Sequence, residues 1–198
     1  MARKQEFNTD EALHHALGAF WNKGYEATSL ADLLQATGLS KSSLYNVFGC
    51  KRELFLSAFD AYRKERGSDM IEMLSSGTAR EGIERFFRKI VMDAASPDFH
   101  RGCMSINQAV EMAPRDPEVR DRVTQDFQAI EDLLTGAIDR AQTDGSISSR
   151  RTARDLAKLL VLSFPGLQVM TRAGVSKNRL DSFLDTLLSI LDQDAPAR

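Results

Sequence analysis

The chain has 198 residues, 42% of them hydrophobic and 27% charged, with 5 prolines, 12 glycines and a formal net charge of -2. That balance suits an ordinary packed core without disulfide or metal staples, and it excludes disordered, collagen-like and fibrous classes. The start lacks a basic segment followed by an apolar run, and nowhere do about 18 apolar residues follow one another, so neither a secretory leader nor a membrane span is expected and the expected location is cytoplasmic.

From about Thr9, Leu13, Ala16, Leu17, Phe20 and Trp21 recur at three- and four-residue spacing and draw one apolar stripe on a first helix. Gly24 is expected to close it in the left-handed conformation, with Tyr25 folding back on its last turn. Thr28 and Ser29 offer N-caps for a short second helix, and Asp32 stands three positions after Ser29 as in a capping box. Gly38 ends that helix, and Ser40 caps a third that begins Lys41-Ser42-Ser43-Leu44-Tyr45. After Phe48-Gly49 a fourth helix starts at Lys51 and carries Leu54, Phe55, Ala58, Phe59 and Tyr62 on its inner face.

Further helices are expected near residues 79–95, 103–113, 117–144, 150–173 and 177–192, and nothing reads as a strand. Their breaks fall at Ser96-Pro97, Pro114 with Pro117, Asp144-Gly145 and Ala173-Gly174, while Pro165-Gly166 lies inside an apolar helix and is expected to bend it. The fold class expected is all-α: an N-terminal three-helix helix-turn-helix unit, continued by a fourth helix, then a helical regulatory and dimerisation domain, with the division at 6–66 and 67–198.

Net charge differs little between these parts, with nine basic against eight acidic residues in 1–66 and seventeen against twenty beyond. The local distribution says more: Ser40 to Arg52 holds Lys41, Lys51 and Arg52 and no acid. A helix-turn-helix reads DNA by setting small, polar side chains of its second helix into the major groove, and Ser40, Lys41, Ser42, Ser43, Tyr45 and Asn46 suit that use. Leu39, Leu44 and Phe48 would face inward against Leu30, Ala31 and Leu34. Thr28 and Ser29 at the start of the second helix, and Lys51 at the start of the fourth, are candidate phosphate contacts. Two short helices and a glycine corner with a solvated Lys-Ser-Ser face are also a common packing unit, and on these residues alone the two readings stand about even.

The longer string tips the balance. Gly24-Tyr25-Glu26-Ala27-Thr28-Ser29-Leu30, then Gly38 through Gly49, then Lys51-Arg52-Glu53-Leu54-Phe55, closely resembles the TetR family of transcriptional regulators (AcrR-type) over about the first 60 residues. The resemblance implies an all-helical homodimer whose last two long helices form the interface, a double-stranded operator as partner, a cavity for an unknown small-molecule effector in the larger domain, and no cofactor or membrane partner. Leu156, Leu159, Leu160, Val161, Leu162 and Phe164, with Leu180, Phe183, Leu184, Leu187, Leu188 and Leu191, are more apolar than surface helices need, as either a dimer face or a monomer core requires.

Cys50 and Cys103 are far apart and lack CxxC spacing, so two reduced thiols are expected. Cys50, at the expected N-cap of the fourth helix beside Lys51 and Arg52, is either a tolerated small residue or a thiolate sensor close to the phosphate backbone. Cys103 follows Gly102 in a stretch resembling a TetR branch that includes the electrophile-responsive NemR, where a cysteine at the comparable place is a sensor; a buried packing role is its alternative. Phe87, Met92, Cys103, Met104, Asn107, Phe127 and Phe164 are candidate effector contacts, each with core packing as its other reading. Three histidines without HExxH, GxSxG, Walker or GxGxxG patterns leave an enzyme without a signature. The expected function is a DNA-binding regulator, a repressor released from a palindromic operator by an effector. The alternatives are a redox- or electrophile-sensing repressor acting through Cys50 or Cys103 and, more remotely, a helical ligand-binding dimer or enzyme without DNA binding.

Overall fold

In the computed structural model, residues 8–93 and 101–192 are described. The expected helix limit at 95, the Ser96-Pro97 break and the first two residues of the expected 6–66 unit lie outside them. The helices are α1 (Thr9–Lys23), α2 (Leu30–Thr37), α3 (Lys41–Phe48), α4 (Lys51–Ser75), α5 (Ala79–Asp93), α6 (Met104–Glu111), α7 (Pro117–Thr143), α8 (Ala153–Arg172) and α9 (Lys177–Leu188), with a 3-10 turn at Ser189–Leu191. No strand occurs among the described residues, and the fold is all-α.

Short polar side chains start these helices by accepting orphan backbone N–H groups. Asn8 accepts from Asp10 N–H and Glu11 N–H, Asp116 from Glu118 N–H and Val119 N–H, and Thr152 from Asp155 N–H. Glycine ends several of them. Gly38 sits at φ 68°, ψ 8° in the left-handed region, its N–H donating to Leu34 O at 3.0 Å. Gly24 departs from the expected left-handed closure: φ is 83° but ψ is 172°, which sends the chain straight out of α1. That exit suits its neighbour, since a Cβ on Gly24 would stand 2.7 Å from the Glu111 carboxylate. α8 runs as one helix across Pro165.

Two clusters of buried side chains organise the chain. The first holds Phe20, Leu33, Leu44, Leu54, Phe55 and Phe59, all fully buried, with Phe20 and Phe55 edge to face at 5.3 Å. Each such side chain contributes about 1.5–3 kcal/mol on burial. This cluster is not closed by the first four helices: Met104 and Met112 from α6 and its C-cap, and Val119 and Val123 from α7, complete it. The second cluster joins α5, α7, α8 and α9 through Ile83, Phe87, Leu134, Ile138, Leu160 and Leu184. α4 belongs to both, giving Leu54 to Tyr62 to the first and Met70 and Leu74 to the second. Phe127 packs against each from the middle of α7.

Candidate functional site

Helices α2 and α3 meet at the Gly38 corner and are locked by Leu33 and Leu44, both fully buried. Leu30, Leu34, Leu39 and Phe48 pack partly buried around that pair, whereas Ala31, expected inside, is exposed; Leu33 takes the inward position. With Leu44 turned in, the opposite side of α3 faces out. Lys41, Ser42 and Asn46 are exposed and Ser43 and Tyr45 half-buried. Ser40 Oγ accepts from Ser43 N–H at 3.1 Å and lies within 3.0 Å of Ser42 Oγ and 2.9 Å of Ser43 Oγ, a hydroxyl cluster at the helix start. Lys41 Nζ lies 5.9 Å from the centroid of the Tyr45 ring, one helical turn on. The outward strip of α3 carries lysine, hydroxyl, phenol and amide groups and no acid, a set that can pair with phosphates and base edges.

The flanking phosphate candidates are placed differently from expectation. Thr28 is fully buried, its hydroxyl donating to Gly24 O at 2.5 Å, so it holds the α1–α2 corner and reaches no surface. Ser29 is exposed, but its hydroxyl and N–H both donate to Asp32 Oδ2 at 2.8 Å, completing the expected capping box. Asp32 in turn accepts Lys23 Nζ at 2.6 Å, and that hydrogen bond first, then those from Ser29, holds its carboxyl at about 2. Lys51 is half-buried with Nζ 4.5 Å above the Tyr25 ring. Arg52 does not add to a basic surface: its Nε and Nη2 donate to the two Asp116 oxygens at 3.0 Å and Nη2 also to Glu118 at 2.8 Å.

The same placements set the surroundings of Cys50. The thiol is exposed at the α4 N-cap, with Arg52 paired to α7, Lys51 over the Tyr25 ring, and the Glu53 carboxylate accepting Cys50 N–H at 2.8 Å.

The unit bearing α3 is fastened to the body by contacts that a one-dimensional reading missed. Glu111, at the end of α6, accepts Tyr25 N–H at 3.1 Å and Glu26 N–H at 2.9 Å, and Gln108 Nε2 donates to the same carboxylate at 3.1 Å. Trp21 Nε1–H donates to Gly102 O at 2.8 Å just before α6, and Arg52 grips the α7 start as described. Partners 64 to 86 positions apart in the chain leave no local signal; an acid ending a helix before a Pro114 corner was the one available hint.

Behind this junction lies a cavity of about 620 Å³ between α4, α5, α7 and α8, reached also by Trp21 from α1. Of the candidate effector contacts, Cys103 and Phe164 line it. The others do not: Phe87 and Met104 are fully buried in the two cores, Phe127 bridges them, Met92 is 67% exposed, and Asn107 is engaged with Arg101 O and the Arg172 guanidinium. Phe86 and Ile90, one and two positions from the expected Phe87 and Met92, form the wall instead. Tyr62 O–H donates to Cys103 Sγ at 3.5 Å and accepts Met104 N–H at 3.2 Å. Burial pushes the Cys103 thiol upward, keeping it protonated at neutral pH, and raises Tyr62 well above the usual phenol range.

On the far side, α8 turns Leu156, Ala157, Leu160, Phe164 and Leu167 into the subunit core. Leu162 and Val169 remain 77% and 56% exposed, in line with Leu159 at three- and four-residue steps through Gly166, and Phe183 of α9 is exposed too.

A family model described as bacterial regulatory proteins, tetR family, matches residues 12–58, and another described as tetracyclin repressor-like, C-terminal domain, matches residues 79–187. The chain is 34% identical over 194 residues to the HTH-type transcriptional regulator YezE of Bacillus subtilis (strain 168), spanning 97% of this chain and 100% of YezE. It is 28% identical over 190 residues to the HTH-type transcriptional repressor ComR of Escherichia coli (strain K12), spanning 95% and 90%. Among solved structures, a cysteine mutant of the TetR family regulator CifR complexed with 26bp double-strand operator DNA superposes with a TM-score of 0.82 at 30% identity, covering 94% of this chain and 98% of that one. Reduced E. coli NemR shares the fold at 17% identity, with a TM-score of 0.83 over 93% and 98% of the two chains.

Proposed function

The chain belongs to the TetR family of bacterial regulatory proteins and is a DNA-binding transcriptional regulator, and from that premise we propose a cytoplasmic, homodimeric repressor that holds a palindromic operator and releases it when a small molecule enters the α4–α8 cavity. The observation that carries this reading is the α3 strip: Lys41, Ser42 and Asn46 are exposed and Tyr45 half-buried beside them on a helix braced by α2, with no acid among them. CifR, 30% identical, is held on double-strand operator DNA, which supports a duplex partner. Two such helices related by a two-fold axis would meet successive major grooves, and the Leu159, Leu162, Val169 and Phe183 surface suits the interface that supplies this axis.

Release follows from the fastening points. Gly102 and Cys103 border the cavity and precede α6, whose far end holds Tyr25 and Glu26 through Glu111, so a shift of α6 moves the α1–α2 corner and with it α3. An effector acts this way only by binding the DNA-incompetent arrangement more tightly than the competent one. Selection of duplexes from a random pool by the purified protein, followed by titration of Lys41→Ala and Tyr45→Ala on the selected site, tests the reading. An inverted repeat is expected, with about tenfold weaker binding for each variant; unchanged affinity in both would take α3 out of the interface.

A second trigger is favoured by one observation, the place of Cys103 Sγ in the cavity wall. An α,β-unsaturated carbonyl compound small enough to enter would add there, the S–C bond forming at its β-carbon as the C=C π bond opens and the thiol proton passes through solvent to the α-carbon, and loss of electrophile response in Cys103→Ser but not Cys50→Ser is the expected result. The raised thiol makes that reaction faster as pH increases, a slope to be measured by alkylation rate.

A further inference from the structure

The charged groups on the cavity wall cancel. Asp60 accepts Arg63 Nη1 at 3.1 Å and Arg122 Nε at 3.0 Å, Asp69 faces Arg66 Nη2 at 3.1 Å, and Asp93 takes Lys89 Nζ at 2.9 Å. Asp126 accepts Ser105 Oγ at 2.5 Å and has Arg63 Nε 3.6 Å away, too far for a hydrogen bond. Four carboxylates line the wall and each is already matched, so a cationic ligand would shed its water without meeting an unspent opposite charge, while an anion would find only the solvent-exposed Lys64, where an ion pair is worth little.

Hydrogen-bond partners are lacking instead. Gln168 Oε1 is buried without a donor, and the Nε–H groups of Arg63 and Arg66 are buried without an acceptor among the described residues. All three residues line the same cavity, whose remaining wall is mainly apolar and aromatic, including Trp21, Tyr62, Phe86, Ile130 and Phe164. We propose that this cavity takes an uncharged molecule with an aromatic body that carries one donor for Gln168 Oε1 and one acceptor oxygen for the Arg63 or Arg66 Nε–H, a carboxamide being the simplest group to offer both. Its ring lies against Trp21, so the ligand touches α1 of the DNA-binding unit directly and need not act through α6 alone.

The inference rests on the cavity being the effector site, and the test separates the two. Trp21 is the single tryptophan of the chain, so its emission reports this cavity. Hydrocinnamamide, hydrocinnamate and butylbenzene share one body and differ in carrying an uncharged amide, a charge, or neither. In titrations of the full chain the amide is expected to shift Trp21 emission and bind about tenfold tighter than either companion, the effect of a matched buried hydrogen-bond set. Gln168→Leu is expected to bring the amide within about twofold of butylbenzene while leaving butylbenzene affinity and the melting midpoint unchanged. Carboxylate binding equal to or tighter than the amide, or butylbenzene equal to the amide in the unmodified protein, overturns the assigned class and leaves the effector reading standing. No emission change with any of the three overturns both.

Discussion

Helices α3 and α8 each give one face to the subunit core and leave the other uncovered. On α3 the inner face is Leu44 and the outer one Lys41, Ser42 and Asn46, with Tyr45 half-buried at the edge; on α8 the inner face runs from Leu156 to Leu167 and the outer one is Leu159, Leu162 and Val169. Hydroxyls and a lysine stay solvated at little cost until a phosphate replaces the water, so α3 can wait for a partner that comes and goes. An aliphatic strip is unfavourable in water at all times, so α8 calls for a partner that stays. On the function proposed above, the difference in outer-face chemistry gives transient duplex contact to one helix and permanent subunit contact to the other.

The strongest way to break this contrast is to put charge on the apolar strip. Leu159→Glu with Leu162→Glu is expected to yield a folded monomer by sedimentation and to lower operator affinity by about 100-fold or more, because two half-sites are then no longer engaged together. A variant that remains dimeric would remove α8 from the interface. Lys41→Ala acts on the other helix and sharpens the contrast. It should leave the dimer intact, weaken operator binding about tenfold and reduce the salt slope by about 1 for each phosphate the lysine had neutralised.

Glu111→Ala probes the fastening between the two regions. It leaves Tyr25 and Glu26 N–H without their acceptor, and a loss of about 1–3 kcal/mol in unfolding free energy is expected by denaturant titration, with dimerisation unaffected. The smallest effect concerns the α2 cap. Asp32 is held at about 2 against an ordinary 3.8, a lowered folded-state value, so its contribution is present above 3.8 and fades as pH falls from there towards 2. Asp32→Asn should flatten that stretch of the acid limb and leave operator affinity at neutral pH within about twofold.

The local chemistry of the first fifty residues was legible in the sequence because its partners are neighbours. The Ser29–Asp32 box, the Gly38 corner and the Ser40 cap link residues no more than four positions apart, and each is where capping rules place it. What depends on packing across the chain was not legible. Thr28 looks like a cap beside Ser29, but its hydroxyl turns back to Gly24 because Ser29 already holds that place. Arg52 reads as part of a basic patch until Asp116, 64 positions on, is set against it. On α5 the pair Phe86 and Phe87 has no composition difference to say which ring faces a cavity; a step of about 100° around the helix separates wall from core, and only the placement of α8 decides it.

The sharing of the first cluster bears on how such proteins diverge. Met104, Met112, Val119 and Val123 supply part of the packing around Phe20 and Phe55, and Gly24 has room only because a carboxylate from α6 sits where its side chain would be. A chimera cut after residue 66, with a reading head from one relative on the body of another, would mismatch that seam and lose solubility or thermal tolerance before altering its target preference. Grafts that carry the α6–α7 corner along with the head keep the seam whole.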